Sequence, residues 1–185
     1  MQHKSIVAWM NIVFKGNKTM FVMTYQMEER KHEKKMRSVR AVIAVIITAA
    51  GAVIASLATD TSTAWYQGLT LSPLQPPPWA FGLIWTILYV LLAISFAYAI
   101  TRPHAPKGAA AGYILNIIIN ALWSPVFFML YNPVSALVIM IALVVNLIIL
   151  MRNVRQVTPS FYLLIPYLIW LAIATILNVS VIVLN

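Results

Sequence analysis

The stretch AFGLIWTILYVLLAISFAYAI, residues Ala80–Ile100, contains no charged side chain. A helix of this length, rising about 1.5 Å per residue, crosses a hydrocarbon core of about 30 Å. Four further apolar stretches of similar length surround it: Ala41–Thr59, Ala109–Tyr131, Val134–Met151 and Phe161–Leu184. Because a bilayer offers no water to the backbone, these stretches predict an all-α integral membrane protein, a five-transmembrane-helix bundle.

The composition excludes several classes of protein. Of the 185 residues, 62% are hydrophobic and 9% are charged, which is too apolar for a soluble domain. The net charge of +9 does not indicate nucleic-acid binding, because nine of the 13 Lys and Arg residues lie at or before Arg40 and the rest lie in short loops. The absence of cysteine excludes disulfides and thiolate metal sites. We therefore expect the lipid bilayer, and no nucleic acid, among the partners.

The N-terminal region differs from the rest. Residues 1–38 hold a weak apolar run, Ser5–Phe14, with no small-residue cleavage site after it, and most of a mixed-charge run, Glu28–Arg40. We predict a basic extension, disordered or interfacial, before a membrane domain at residues 39–185. Internal starts at Met27 or Met36 suggest that part of the extension is absent from the native protein.

Basic residues fall in alternate loops. They precede the first span, and they recur between spans two and three and between spans four and five, whereas the Asp60–Pro78 loop, Tyr131–Pro133 and the C-terminus carry none. The positive-inside rule then predicts a cytoplasmic N-terminus and an outside C-terminus, in a multi-pass protein of the cell inner or plasma membrane.

The spans lack ionisable side chains in their interiors. This argues against proton- or ion-coupled pumping, a retinal Schiff base, and haem held by a buried His or Cys. No acid–base pair and no metal site is predicted.

Three spans carry uncharged faces of aromatic and amide residues at helical spacing. Amides in hydrocarbon need partners, so these faces are expected to point into the bundle, either to hydrogen-bond between helices or to face a ligand. If the faces meet, they enclose a cavity suited to a large, flat, mostly apolar ligand. Their members are Trp85 and Tyr89 in span two, Asn116, Asn120, Trp123 and Phe127 in span three, and Tyr167, Trp170, Ala174 and Asn178 in span five.

Other residues of the spans indicate packing. Pro125 is expected to kink the third helix or open its backbone, and Asn146 in the fourth is interpreted as structural. Small residues at helical spacing in the first span predict close helix contacts: Ala44, Thr48, Gly51 and Ala55. The Asp60–Pro78 loop carries Trp65, Tyr66 and consecutive prolines, which hold a chain extended, so it is either a rigid connector or a lid.

Three motifs carry a family resemblance. They are Trp65-Tyr66-x-x-Leu69 with Pro76-Pro77, Trp79 and Trp85-x-x-x-Tyr89; Asn120-x-x-Trp123-x-Pro125-x-Phe127-Phe128; and Pro166-Tyr167-x-x-Trp170-x-Ala172-x-Ala174-Thr175-x-Leu177-Asn178. In this order and spacing, over about residues 40–185, the chain resembles the TspO/MBR family, also called tryptophan-rich sensory proteins or translocator proteins.

The resemblance implies a five-helix bundle, often a homodimer, that binds porphyrin or haem-type tetrapyrroles, or another flat apolar small molecule, and acts as a carrier or stress-related sensor. No cofactor is required, and recognition would rest on stacking and shape. The implied ligand-binding residues are Trp65, Trp85, Tyr89, Asn120, Trp123, Phe127, Tyr167, Trp170 and Ala174, under a loop lid that includes Pro76, Pro77 and Trp79.

Two alternative functions stay open. One is a light-dependent porphyrin-degrading enzyme that acts through Trp85 and Trp170, and the other is a regulatory membrane protein with no small-molecule ligand.

The sequence departs from the family pattern in two places. Leu74 stands where the family usually has an aromatic loop residue, which puts loop closure in question. Val179–Asn185 lacks the Tyr and basic residue of the sterol-recognition pattern, so sterol binding by that pattern is not expected.

Overall fold

The computed structural model describes residues 2–185, and it describes side chains from Met20 onward. Contacts divide the chain into two units, Met1–Val39 and Arg40–Asn185. The apolar run Ser5–Phe14 lies outside the residues whose side chains are described. The interfacial or disordered character of the extension and the internal start stay predictions.

Helices dominate the described residues, which contain no strand. Five helices are long and apolar enough to cross a membrane, which confirms the predicted fold class. The bounds are α1 Gln2–Leu57, α2 Ala64–Gln67, α3 Pro78–Thr101, α4 Ala109–Ser124 with a π-helical continuation Pro125–Met129, α5 Pro133–Val154 and α6 Thr158–Leu184.

The first span differs most from its predicted start, whereas the other four begin within three residues of theirs. We expected a helix from Ala41, but α1 is already helical through the preceding charged run. That run has no Gly or Pro near the boundary to end a helix. Exposed pairs at helical spacing, Glu28–Lys31 and Glu33–Arg37 at 3.4 Å each, are compatible with continuous helix.

Prolines mark where three spans begin. Pro78 and Pro133 are the first residues of α3 and α5, and Pro159 is the second residue of α6. A first-turn proline loses no intrahelical hydrogen bond, because the first amides of a helix have no partner within it. The prolines of the first loop therefore lead directly into α3.

Helices α3, α4, α5 and α6 pack in a closed ring, with α3 touching α4 and α6, and α5 touching α4 and α6. The part of α1 after Arg40 contacts α4 through small residues, as predicted. Gly51 lies so close to Ile117 that an added Cβ would overlap the Ile117 side chain. Ala44, Thr48 and Ala55 are buried.

Loops meet at the two ends of the ring. At one end Asn153 Nδ2, in the last turn of α5, donates to the Lys107 carbonyl of the basic α3–α4 loop at 3.0 Å. At the other end, the Thr70 N–H donates to Asn185 Oδ1 at 2.9 Å and Asn185 Nδ2 donates to the Thr70 carbonyl at 3.2 Å. The basic and non-basic loops are thus separated in space, while the side of the membrane each faces stays a prediction.

This separation predicts the labelling of single cysteines, since the chain has none of its own. Ser72→Cys in the first loop should react with a membrane-impermeant maleimide in intact cells. Ala105→Cys, in the basic loop, should react only after permeabilisation. The reverse pattern would contradict the cytoplasmic assignment of the basic end.

Candidate functional site

The tryptophans of α3 and α6 lie together. The Trp85 and Trp170 ring centroids are 6.3 Å apart at 89°. Phe81 lies 5.6 Å from Trp170, Tyr89 lies 5.9 Å from Trp85, and Tyr167 lies 6.4 Å from Trp85. These five residues form what we call the α3–α6 aromatic cluster. Edge-to-face and tilted contacts at these distances are attractive arrangements for aromatic rings.

Two polar atoms of the α3–α6 aromatic cluster have no partner. Tyr89 OH and Trp170 Nε1 are both buried and make no hydrogen bond within the protein. Leaving a buried donor without a partner costs about 1–3 kcal/mol, so most such groups in folded proteins are paired. The two atoms are therefore free to hydrogen-bond a ligand that enters between α3 and α6.

The amides of the third and fifth spans pair with partners across the helices. Asn120 Nδ2 donates to Tyr167 OH at 2.7 Å, and Trp123 Nε1 donates to Asn178 Oδ1 at 3.1 Å. Asn178 Nδ2 also donates to the Pro133 carbonyl at 2.9 Å. Both predicted faces point into the bundle, and their amides hydrogen-bond between helices, while the ligand-facing role of these residues stays a prediction.

A third amide pair joins α4 to α5. Asn116 Nδ2 donates to Asn146 Oδ1 at 2.9 Å, in line with the structural interpretation of Asn146. Asn116 Oδ1 is buried without a partner. The pair lies on helices that do not contribute to the α3–α6 aromatic cluster.

Pro125 interrupts the regular α-helix of the third span, as expected. The backbone widens to a π-helix at Pro125–Met129, and the Leu130 N–H donates to the Pro125 carbonyl at 3.0 Å. Such a turn accommodates an extra residue. As a result, the consecutive side chains Phe127 and Phe128 are both buried.

The first loop packs on this π-helical segment. Trp65 lies 5.6 Å from Phe127 and 5.0 Å from Tyr131, and Tyr66 lies 5.4 Å from Phe128. Burial raises the pKa of the Tyr66 phenol, which is consistent with the packing of this ring on α4. With Trp123, stacked on Phe127 at 5.1 Å, these residues form a second group, the loop–α4 aromatic cluster.

The predicted site residues thus divide between two clusters. Trp85, Tyr89, Tyr167 and Trp170 meet directly, Asn120 reaches them through Tyr167, and Ala174 is buried one turn after Trp170. Trp65, Trp123 and Phe127 belong to the loop–α4 cluster. Of the lid residues, Pro76 is half-buried and Pro77 is exposed. Trp79 is 73% exposed and Leu74 is 70% exposed, so neither covers an aromatic ring.

Sequence reasoning missed two features. Phe81 was not assigned to the site, although it precedes Trp85 by four residues and so shares its face. The second is a buried polar cluster near the basic end: Ser95 Oγ bonds Tyr113 OH at 2.5 Å and donates to the Ser160 carbonyl at 2.8 Å, while Ser160 Oγ donates to the Ser95 carbonyl at 2.9 Å. It links α3, α4 and α6.

Comparison with known proteins gives one consistent result. A family profile described as the TspO/MBR family matches residues 42–184. The chain is 34% identical over 122 residues to "Tryptophan-rich protein TspO" of Archaeoglobus fulgidus, covering 65% of this chain and 80% of that protein. It is 34% identical to "Tryptophan-rich sensory protein" of Cereibacter sphaeroides, covering 65% and 77% of the two chains. It is 30% identical over 133 residues to human "Translocator protein", covering 63% and 72%.

The interhelical pairs make a stability prediction. Asn178→Ala removes two hydrogen bonds and leaves Trp123 Nε1 unpartnered in an apolar interior, so the unfolding free energy should fall by about 1–3 kcal/mol. Unfolding in mixed micelles with increasing sodium dodecyl sulfate measures it. Val183→Ala, 75% exposed on the same helix, is the control and should change little. Equal effects of the two variants would contradict the prediction.

Proposed function

This chain belongs to the TspO/MBR family, and from that premise we propose that it is a multi-pass membrane protein that binds tetrapyrroles between α3 and α6 and acts as a carrier or stress-related sensor. Porphyrin or haem-type rings are the proposed ligands, and the binding site is the α3–α6 aromatic cluster. A homodimeric state stays a prediction.

The observation that carries the proposal is the uncharged α3–α6 aromatic cluster, in which two buried hydrogen-bond donors have no partner. Phe81, Trp85 and Trp170 offer ring faces and edges for a planar macrocycle. Tyr89 OH and Trp170 Nε1 supply hydrogen bonds to its polar atoms. Burying a large apolar ring is favourable by roughly 25 cal/mol per Å², so contact area supplies affinity and the donors fix orientation.

The α3–α6 aromatic cluster contains no His, Cys or Met side chain to ligate a haem iron, and its phenols on Tyr89 and Tyr167 are the remaining candidates. Among residues 20–185 there is no group of three His, Cys, Asp or Glu side chains that could hold an ion. His32 lies outside the Arg40–Asn185 unit, and His104 lies in the basic loop. Recognition by stacking makes a metal-free porphyrin an adequate ligand.

The first loop is proposed to act as the lid. Trp65 and Tyr66 seat it on α4, and the paired hydrogen bonds between Asn185 and Thr70 tie it to the last residue of the chain. Closure by this route uses residues other than Leu74, which is exposed. The lid would therefore close without the aromatic residue that Leu74 replaces.

The two alternatives are separable from simple binding. Light-dependent degradation would give new absorbing products from an illuminated complex that free porphyrin does not give. A regulatory protein without a ligand would show no saturable binding of porphyrin. The names of two relatives, "Tryptophan-rich sensory protein" and "Translocator protein", agree with either sensing or transport as the consequence of binding.

The binding site is tested by titrating protoporphyrin IX into the detergent-solubilised protein. Because substituting indoles also removes fluorophores, affinity is read from the Soret absorbance. Trp85→Phe combined with Trp170→Phe removes indole area and the Trp170 Nε1 donor, so affinity should fall about tenfold or more.

Trp79→Phe is the matched control, since this tryptophan is on α3 but largely exposed. It should bind porphyrin like the parent chain. Unchanged affinity in the double variant would reject the α3–α6 site, and equal loss in the control would show that the effect is not local.

The lid is tested at the C-terminus. Asn185→Ala removes both bonds to Thr70, so porphyrin should dissociate several-fold faster in stopped flow, and the Thr70 amide should exchange its hydrogen faster. Leu184→Ala, beside it and without those bonds, is the control. Faster amide exchange with an unaltered dissociation rate would show that the loop is anchored by Asn185 but is not the lid.

A further inference from the structure

A cavity of about 680 Å³ lies at the basic end of the bundle, away from the aromatic clusters. It is lined by the α3–α4 loop and by the segment from the end of α5 to the start of α6. Their residues are Arg102, Pro103, His104, Pro106, Lys107 and Arg152–Pro159 without Val154. The volume is within the range of small-ligand sites, about 300–1,000 Å³.

Four basic side chains line the cavity, and no acidic side chain does. Arg102, Lys107, Arg152 and Arg155 are all the Lys and Arg residues that follow Arg40 in the sequence, and all four line it. No Asp or Glu follows Asp60, which belongs to the first loop at the opposite end. Among residues 20–185 the ion pairs are Glu28–Lys31 and Glu33–Arg37, so none of the four has an acidic partner.

Orientation in a membrane accounts for basic loops on one side, but it does not require them to converge. Here the convergence is built by the backbone. Gly108 has φ 77°, a left-handed conformation that favours glycine and lets the loop turn directly into α4. Asn153 Nδ2 donates to the Lys107 carbonyl at 3.0 Å, which joins the α3–α4 loop to the last turn of α5.

The start of α6 adds to the positive field. Thr158 and Pro159 line the cavity, and no side chain caps this helix end. The backbone N–H groups of a first turn carry a partial positive charge that favours anions. All four cations are exposed, so water and salt screen part of their mutual repulsion, and a bound anion would offset the rest.

We propose that this cavity binds a phosphate-bearing anion with at least two negative charges. Three of the four cations are Arg, whose planar guanidinium accommodates two oxygens of one phosphate, and a doubly charged group offsets more of the repulsion than a carboxylate does. The same chemistry is available from a lipid headgroup at the membrane surface or from a free phosphate in the aqueous phase.

Two probes separate these sources with the full chain in phosphatidylcholine nanodiscs. Inorganic diphosphate is titrated by calorimetry. In parallel, nanodiscs containing cardiolipin are compared by native mass spectrometry with nanodiscs containing phosphatidylglycerol, whose headgroup has one phosphate. Saturable diphosphate binding supports a soluble ligand, and retention of cardiolipin over phosphatidylglycerol supports a lipid headgroup.

Arg152→Gln combined with Arg155→Gln should lower affinity for the binding probe about tenfold or more. Lys34→Gln combined with Lys35→Gln removes the same charge outside the cavity and should leave affinity within about twofold. Both double variants should keep porphyrin binding, because Trp85 lies about 24 Å from the end of α3 by helical rise. Failure of the porphyrin site would therefore leave this test intact.

Three results would overturn the proposal. The first is that neither probe binds saturably. The second is that the Lys34 and Lys35 variant loses as much affinity as the Arg variant, which would indicate diffuse charge. The third is that chloride at equal ionic strength displaces the probe as well as phosphate does, which would indicate screening alone.

Discussion

The hydrogen bonds that α4 makes to its neighbours constrain the rest of the bundle. In hydrocarbon, helices gain little from the hydrophobic effect by touching each other, so packing and polar links between them matter more than in water. Asn116, Asn120 and Trp123 each reach a different side chain, on α5 or α6. Because these partners lie at fixed heights along their helices, pairing sets both the rotation and the register of α4.

The same hydrogen bonds also determine which polar groups of the α3–α6 aromatic cluster are free to contact a ligand. Pairing uses one amide donor of Asn120, one of Asn178 and the single indole donor of Trp123, so these side chains hold helices together whatever else they bind. Among the buried side-chain atoms of residues 20–185, the donors without a partner are Tyr89 OH on α3 and Trp170 Nε1 on α6. A ligand there meets rings and two hydrogen-bond donors, which suits a planar macrocycle with nitrogen acceptors better than an ion.

Much of this could be predicted because apolar length and helical spacing are local properties of a sequence. The span expected from Ala80 begins at Pro78, and the one expected from Val134 begins at Pro133. The buried faces of α4 and α6 were also predicted correctly. Spacing shows which face a residue occupies but not which helix is opposite, so the Asn120–Tyr167 and Trp123–Asn178 pairs could not be derived. Ser95 and Ser160 gave no signal, since serine is tolerated on any face of a membrane helix and only contact shows that the two meet.

The bases that follow Arg40 and the tryptophans of the spans occupy separate levels along the bundle, for a reason that depends on dielectric. A cation in the apolar interior would have to be desolvated, at a cost of at least about 2.5 kcal/mol on insertion scales. Of the four bases that follow Arg40, three accordingly lie in end loops and Arg152 lies in the last turn of α5. Indoles have no such restriction and can fill the middle. The buried Ser95, Tyr113 and Ser160 cluster joins α3, α4 and α6 near the basic end without adding charge. It restrains the start of α6, on which both the Arg-lined cavity and Trp170 depend. The two proposed sites therefore share a helix, yet each has its own source of affinity: Coulombic attraction at the basic end and ring contact in the middle of the bundle.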